Sequence, residues 1–350
     1  MTGFKQDILN LARIKFGEIP KDVEHRLIAK TDAIKDYGRG EMLQTMWRLV
    51  DELKKHDINI RLTLGQGYNV SLVCYLLGIS TFNPMDHPSL ETEQYAISVF
   101  GEIKRASEIV LKIDKDQPEI IDHFLYSLKY DVERKDIPET YLHSWRIKAI
   151  NEGNSDFTLE CNSVPNIGRD RLAREWIGWN EFDKLPTDDR ETMKLIHDIN
   201  IYGTTISSLA PITIEAIREI RPANVRELAD AMSFTSERQY SHLLKYLENR
   251  ETGNKVYTGY QKIDEILYPT HGIILNTCQM GQILKMPLRR ELGEASYRTL
   301  QKNYRSLTAS PIVNRCDIYV KAYNLYRLAY VKVHYPEIFK QVIESNTNLK

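Results

Sequence analysis

LGQGYNVSLVCYLLGISTFNP, residues 64–84, opens like a loop that holds a phosphate and closes like the end of a helix. Gly65 and Gly67 flank one residue, Ser71 follows four positions on, an apolar run comes next, and Asn83-Pro84 stops it. Upstream, INIRLTL at 58–64 alternates as a short strand does, and 69–78 reads as a helix. Strand, glycine turn and helix is the arrangement in which backbone N–H groups and a helix N-terminus face an anion. The loop is not a P-loop, because no Gly-Lys-Ser/Thr follows, and it lacks the third glycine of a dinucleotide fingerprint. Tyr68 is bulky where such loops keep small residues. By itself the Gly-x-Gly turn is equally a plain tight turn.

Outward from the loop the chain reads as an α/β N-terminal half and a mostly helical second half. Residues 4–16 and 21–36 are predicted helices separated by Gly17 and Pro20. In 40–56, Met42, Met46, Leu49, Val50 and Leu53 share one face at spacings of three and four. EIVLKIDKD at 108–116 has the β-branched character of a strand. Helices are also predicted at 94–106, 118–130 and 168–178, with an irregular segment between 130 and 168. In LPTDDRETMKLIHD, 185–198, Thr187 is placed to cap a helix, with Asp188 and Asp189 near its positive end. Helical patterns dominate from 211 on, punctuated by prolines.

Composition places the chain among ordinary globular proteins: 350 residues, 42% hydrophobic, 27% charged, net charge −1. No run approaches the length of a membrane span, and the amphipathic, charged start does not read as a signal peptide, so a cytoplasmic protein without a membrane partner is expected. Cys74, Cys161, Cys278 and Cys316 have neither zinc-ligand spacing nor close neighbours, so zinc is not expected and buried free thiols are. Charge is uneven: 86–140 carries 13 Asp/Glu against 7 Lys/Arg, and 285–350 carries 12 Lys/Arg against 5 Asp/Glu. That split suits metal ions in one region and a polyanion in the other, or simply two solvated surfaces.

Three constellations bear chemistry. Asp114 and Asp116 stand two apart on the predicted strand and so share a face, as a site for Mg²⁺ in phosphoryl transfer requires; a surface strand shows the same pattern, and Lys112 and Lys115 would neutralise the pair. Basic residues interleave with tyrosines in 288–307 and 314–336. Tyr319, Tyr323, Tyr326 and Tyr330 form a helical stripe that reads either as a stacking surface for bases or as a core seam. No nucleophile elbow and no histidine pair with ligand spacing occurs.

In order, these pieces resemble the α subunit of bacterial DNA polymerase III, the C-family replicative polymerase. GQGYNVSLVCYLLGISTFNP resembles its loop G-R-G-S-A-A-G-S-L-V-A-Y-x-L-G-I-T-x-x-D-P. MLQTMWRLVDELKKHDINI stands where the family has a long helix and a turn. LPTDDRETMKLI resembles I-P-x-D-D-x-x-x-x-x-L-L, and REIRPANVREL resembles R-x-L-K-P-x-x-F-x-D-L. LGEASYRTLQK resembles L-G-E-A-x-x-x-R-R-A, and VNRCDIYVK with AYVKVHYP resembles F-N-K-S-H-A-x-A-Y and A-Y-x-K-A-H-Y-P. The matches are collinear from about residue 8 to 343, and LVCYLLGI, LGEA and AYVKVHYP are the specific ones.

The resemblance implies an α+β fold: residues 1–180 a reduced polymerase β-like nucleotidyltransferase palm with helical thumb elements, and 181–350 a helical fingers-like domain. It implies template-directed DNA synthesis, or a degenerate derivative of it, on a primed DNA template with dNTPs. The alternative is a non-catalytic protein that keeps the polymerase shell to bind DNA or replisome proteins, as in a phage or plasmid. If the chain is catalytic, Asp114 and Asp116 hold Mg²⁺ and Glu160 is the third carboxylate, Asp156 being the other candidate. Gly65, Gly67, Ser71, Arg315 and Lys321 fall at nucleotide-binding positions, and Arg289, Arg290, Arg298 and Lys302 at DNA-binding ones. The departures are informative. In LKIDKD the family's aspartate pair falls either on Lys112 and Asp114 or on Asp114 and Asp116. Asp317 replaces a fingers histidine, Arg315 a lysine, and SFTSERQ stands where an R-P-G-P-type loop is expected.

Overall fold

Two compact units make up the chain: Met1–Lys184 with Gln341–Lys350, and Leu185–Lys340. The computed structural model describes residues 2–36, 38, 40–56, 60–62, 71–80, 82–86, 109–113, 118–127, 131–137, 142–148, 157–162, 185–198, 209–253, 258, 260–288 and 293–347. The expected helices at 94–106 and 168–178 lie outside these residues.

The first unit begins with α1 (Thr2–Phe16), α2 (Lys21–Asp36) and α3 (Gly40–Lys55). Helix α1 stops at Gly17, whose φ of +77° only glycine adopts without strain and whose N–H closes on the Arg13 carbonyl at 2.9 Å. The apolar stripe of α3 is buried as its spacing predicts. It packs with Phe4 and Ile8 of α1 and Leu27 and Ile34 of α2. The same core takes in Leu72, Val73 and Leu76 of α4 (Leu72–Leu76) and Ile121 and Leu125 of α5 (Pro118–Ser127). After α4, Gly78 takes φ +70°, and a Cβ there would lie 2.5 Å from Lys54 Nζ and 3.4 Å from Val50 Cγ1. The glycine of LVCYLLGI thus both ends a helix and lets the chain approach α3 closely.

A mixed five-stranded sheet completes this unit, in the order β1 (Ile60–Leu62), β2 (Ile109–Ile113), β5 (Phe157–Asn162), β4 (Leu142–Lys148), β3 (Asp131–Ile137). Strands β2 and β5 run parallel, and the other neighbours are antiparallel. The segment expected to be irregular therefore carries three strands. FTLECN shows the alternation of a half-buried strand, whereas DVERKDI is too charged to show it. Register resolves the ambiguity. One set of rows across the sheet is mainly apolar, such as Leu62, Leu111, Leu159 and Trp145. The rows between them are mainly polar, such as Arg61, Lys112, Glu160, Ser144 and Lys135. Alternate rows fall on opposite faces, so the sheet is amphipathic.

The second unit is mostly helical: α6 (Arg190–Asp198), α7 (Pro211–Ile220), α8 (Val225–Ala231), α9 (Tyr240–Thr252), α10 (Gln261–Leu267), α11 (Thr277–Lys285), α12 (Glu294–Leu307) and α13 (Arg315–His334), with α14 (Pro336–Thr347) crossing its boundary. A small parallel sheet joins β6 (Ile274–Asn276) to β7 (Thr308–Val313). The fold is α+β. Helix α13 is the spine of the unit: it buries residues around most of its circumference and packs on α6 and α8. No described helix is long and apolar enough to cross a membrane.

Candidate functional site

Elementary strand pairing brings one predicted carboxylate beside the predicted aspartate strand. Glu160 lies on β5, hydrogen-bonded in parallel to β2, with Lys112 as its Cα partner on one side and Ser144 on the other. Strand β2 ends at Ile113, immediately before Asp114. Asp114 and Asp116 lie outside the described residues, as do Asp156, Gly65, Gly67 and Tyr68. The polar row through Glu160 carries three cationic residues, Arg61, Lys112 and Lys135, and a single carboxylate. Among the described residues no three His, Cys, Asp or Glu gather as metal ligands. One carboxylate residue among three cationic ones in a row is not the donor set of a divalent cation. A metal here would depend on Asp114 and Asp116.

Ser71 caps a helix. It is buried at the N-cap of α4, and its hydroxyl accepts the Cys74 N–H at 3.4 Å. Cys74 beneath it is fully enclosed, and burial pushes its thiol up to about 11, so it is an inert core residue.

In the second unit Arg315 is also committed. Its guanidinium pairs with Asp230 of α8, and the side chains are 14% and 2% exposed. Burial holds the Asp230 carboxyl's pKa above its ordinary value, and Arg315 offsets this only in part. Burial alone would lower the Arg315 pKa, and Asp230 more than reverses this, so the guanidinium stays charged. The positive charge expected at a nucleotide is neutralised inside the fold by a residue 85 positions away. Lys321 is exposed on α13, and Arg298 and Lys302 are exposed one turn apart on α12, where Arg298 bonds Glu294 at 2.9 Å. Such an exposed pair is weak and yields to a polyanion. Arg289 and Arg290 lie outside the described residues.

Most of the tyrosine stripe is a core seam. Tyr319, Tyr323 and Tyr326 are buried, and Tyr330 is half-buried. The Tyr326 hydroxyl accepts the Asp189 N–H at 3.0 Å, while Asp189 caps α6 through bonds from the Thr192 N–H at 2.9 Å and hydroxyl at 2.6 Å. Asp189, rather than the expected Thr187, therefore starts α6. The Thr187 carbonyl accepts the Val225 N–H instead. His334 also contacts the Asp189 carboxylate, at 3.0 Å. Burial would raise the Asp189 pKa, but Thr192 and His334 together hold it below its ordinary value. A depressed carboxyl stabilises the fold above its unfolded pKa and loses that contribution as pH falls through its folded pKa. Asp189→Ala is expected to cost about 1 kcal/mol at neutral pH. In urea unfolding that difference should begin to shrink as pH falls below about 3.9, the ordinary aspartate value, and vanish only below the depressed folded pKa, where the carboxyl is protonated in both states.

The sequence reading missed Asp230. Its position in RELADAM gives no hint of burial beyond an apolar neighbourhood, and its partner is remote in sequence. It also missed Gln239, the hub of SFTSERQ. Gln239 is buried, and its Oε1 accepts the Thr235 and Ser236 N–H groups at 2.7 and 2.9 Å. Its Nε2 donates to the carbonyls of Ser233, Ala309 and Pro311 at 3.2, 3.1 and 2.9 Å. The segment standing in place of the expected arginine-proline loop is thus pinned to β7.

Residues 171–304 match the family model of the bacterial DNA polymerase III alpha subunit finger domain. The matched range spans α6 to most of α12 and includes Asp230, Gln239, Arg298 and Lys302; Arg315 and Lys321 lie beyond it. No curated protein matches the chain.

Proposed function

We propose that this is a polymerase III α-like protein that acts on primed DNA. The match of residues 171–304 to the finger-domain model carries the reading. In it, Leu185–Lys340 is a fingers unit that meets DNA through Arg298 and Lys302, with Arg289 and Arg290 between α11 and α12 adding charge. The mixed sheet of the first unit is a palm of the polymerase β-like nucleotidyltransferase type. The parallel pairing of β2 and β5 supports this, because it sets Glu160 one strand away from the segment that continues into Asp114 and Asp116. In a catalytic protein these three carboxylates would hold Mg²⁺, which supplies charge neutralisation for attack of a primer hydroxyl on a dNTP.

A second reading has its own support. Lys112 sits in register with Glu160, and Asp230 occupies Arg315. Both features remove charge that nucleotidyl transfer needs: one sets a cation beside a candidate metal ligand, and the other withdraws a cation from a candidate phosphate site. They favour a protein that binds primed DNA, or replisome proteins on it, without extending the primer.

Primer extension with Mg²⁺ or Mn²⁺ and dNTPs separates the two. Extension by the native chain that an Asp114→Asn, Asp116→Asn double variant loses by at least about a hundredfold establishes polymerisation, since removing transition-state charge stabilisation costs that much or more. Absence of extension with retained DNA binding establishes the second reading. Absence of both contradicts the proposal.

A further inference from the structure

Two chain segments of the second unit repeat one local design. Strand β6 ends at Asn276, which caps α11 through the Gln279 N–H, and Cys278 is the second residue of that helix. Strand β7 ends at Val313, followed by Asn314, which caps α13 through the Cys316 and Asp317 N–H groups, and Cys316 is its second residue. The two strands are parallel, with Asn276 and Val313 as Cα partners, so the helices start side by side. This places two cysteines 38 positions apart in the first turns of neighbouring helices, close enough for Cys278 to raise the Cys316 pKa. Cys316 is buried, Cys278 is half-exposed, and both are free thiols.

We propose that Cys278 and Cys316 are a dithiol that closes reversibly to a disulfide by exchange with a small-molecule disulfide. The half-exposed Cys278 is the attacking sulfur. As a thiolate it forms a bond to one sulfur of RSSR and releases RS⁻, leaving Cys278–S–S–R. The Cys316 thiol then loses its proton, attacks the Cys278 sulfur and releases the second RS⁻. The two released thiolates take up the two protons lost by the cysteines, so the balance is protein(SH)₂ + RSSR → protein(S–S) + 2 RSH. The order of attack suits the surroundings. The Cys316 pKa is held well above its ordinary value chiefly by the neighbouring Cys278 thiol, then by burial and by Asp317, against Arg315. Capping Cys278 in the mixed disulfide removes its charge, and so eases deprotonation of Cys316 to resolve it. Closed, the bond ties the start of α11 to the start of α13, where Arg315 is paired with Asp230.

The test treats the full native chain with glutathione disulfide, then maps thiols and linked peptides by mass spectrometry and follows thermal unfolding. The number of free thiols should fall by two, with a Cys278–Cys316 linked peptide. The melting temperature of the unit should rise by about 8–15 °C, as expected for closing a loop of this length, and dithiothreitol should reverse both changes. Cys316→Ser should stop at a glutathione adduct on Cys278, and Cys278→Ser should lose the cross-link while keeping the reduced protein's melting temperature within a few degrees. A persistent adduct on Cys278 in the native chain, a linkage between other cysteines, or an unchanged number of free thiols would overturn the proposal.

Discussion

Replacing Asp230 by alanine is expected to destabilise Leu185–Lys340 by about 3–5 kcal/mol, because Arg315 would then keep a buried charge with no counter-ion. The pair is enclosed, and the guanidinium cannot relieve itself by deprotonation. A loss of that size lowers the unit's unfolding temperature by about 10 °C. The control removes both charges. An Asp230→Leu, Arg315→Met variant should recover most of the stability, since replacing a buried pair by apolar side chains is often close to neutral. Recovery would show that the single variant suffers from the orphaned charge and not from lost packing. A loss under about 1 kcal/mol for Asp230→Ala would mean that Arg315 finds another partner or reaches water. The pair would then be no obstacle to a nucleotide-binding role for Arg315.

Gln239→Leu is expected to cost about 3 kcal/mol, a similar loss from a different cause. The side chain gathers five backbone groups, two N–H donors and three carbonyls, from SFTSERQ and β7. Leucine fills the volume but makes none of these bonds in a buried place, and unsatisfied polar groups carry the larger share of such penalties. Gln239→Glu should be no milder at neutral pH. Its oxygens still accept the Thr235 and Ser236 N–H groups, but they face three carbonyls and carry a buried charge. Chemical denaturation of the three proteins at neutral pH measures both effects. A Gln239→Leu variant as stable as the native chain would show that water satisfies the segment.

The helices of the first unit were legible because their information is local. The stripe from Met42 to Leu53 states a helix and its buried face together. The sheet was half legible. β1 and β2 read as strands, but β3, β4 and β5 fell in the segment expected to be irregular; of these FTLECN alternates, whereas DVERKDI is so charged that only its pairing with β4 gives it a face. Site residues divide the same way. Nothing near Arg315 announces that Asp230 neutralises it, and nothing near Cys278 announces Cys316, because strand and helix packing make both pairs across long separations. Ser71 fitted a phosphate loop by spacing alone, yet serine before a short apolar run is equally an N-cap, and the fold uses it as one. Spacing shows which chemistry a residue type permits. The distant partner decides whether the residue is still available for it.

The central claim is that the chain engages primed DNA, and fluorescence anisotropy of a labelled primer–template across a salt series tests it most directly. The account predicts binding with a dissociation constant of about 10⁻⁶–10⁻⁴ M near physiological salt that tightens steeply as salt falls. It also predicts that an Arg298→Glu, Lys302→Glu variant of unchanged stability binds several-fold more weakly, with a salt slope shallower by about two. No binding at low salt, or binding that the variant leaves untouched in strength and slope, would contradict it.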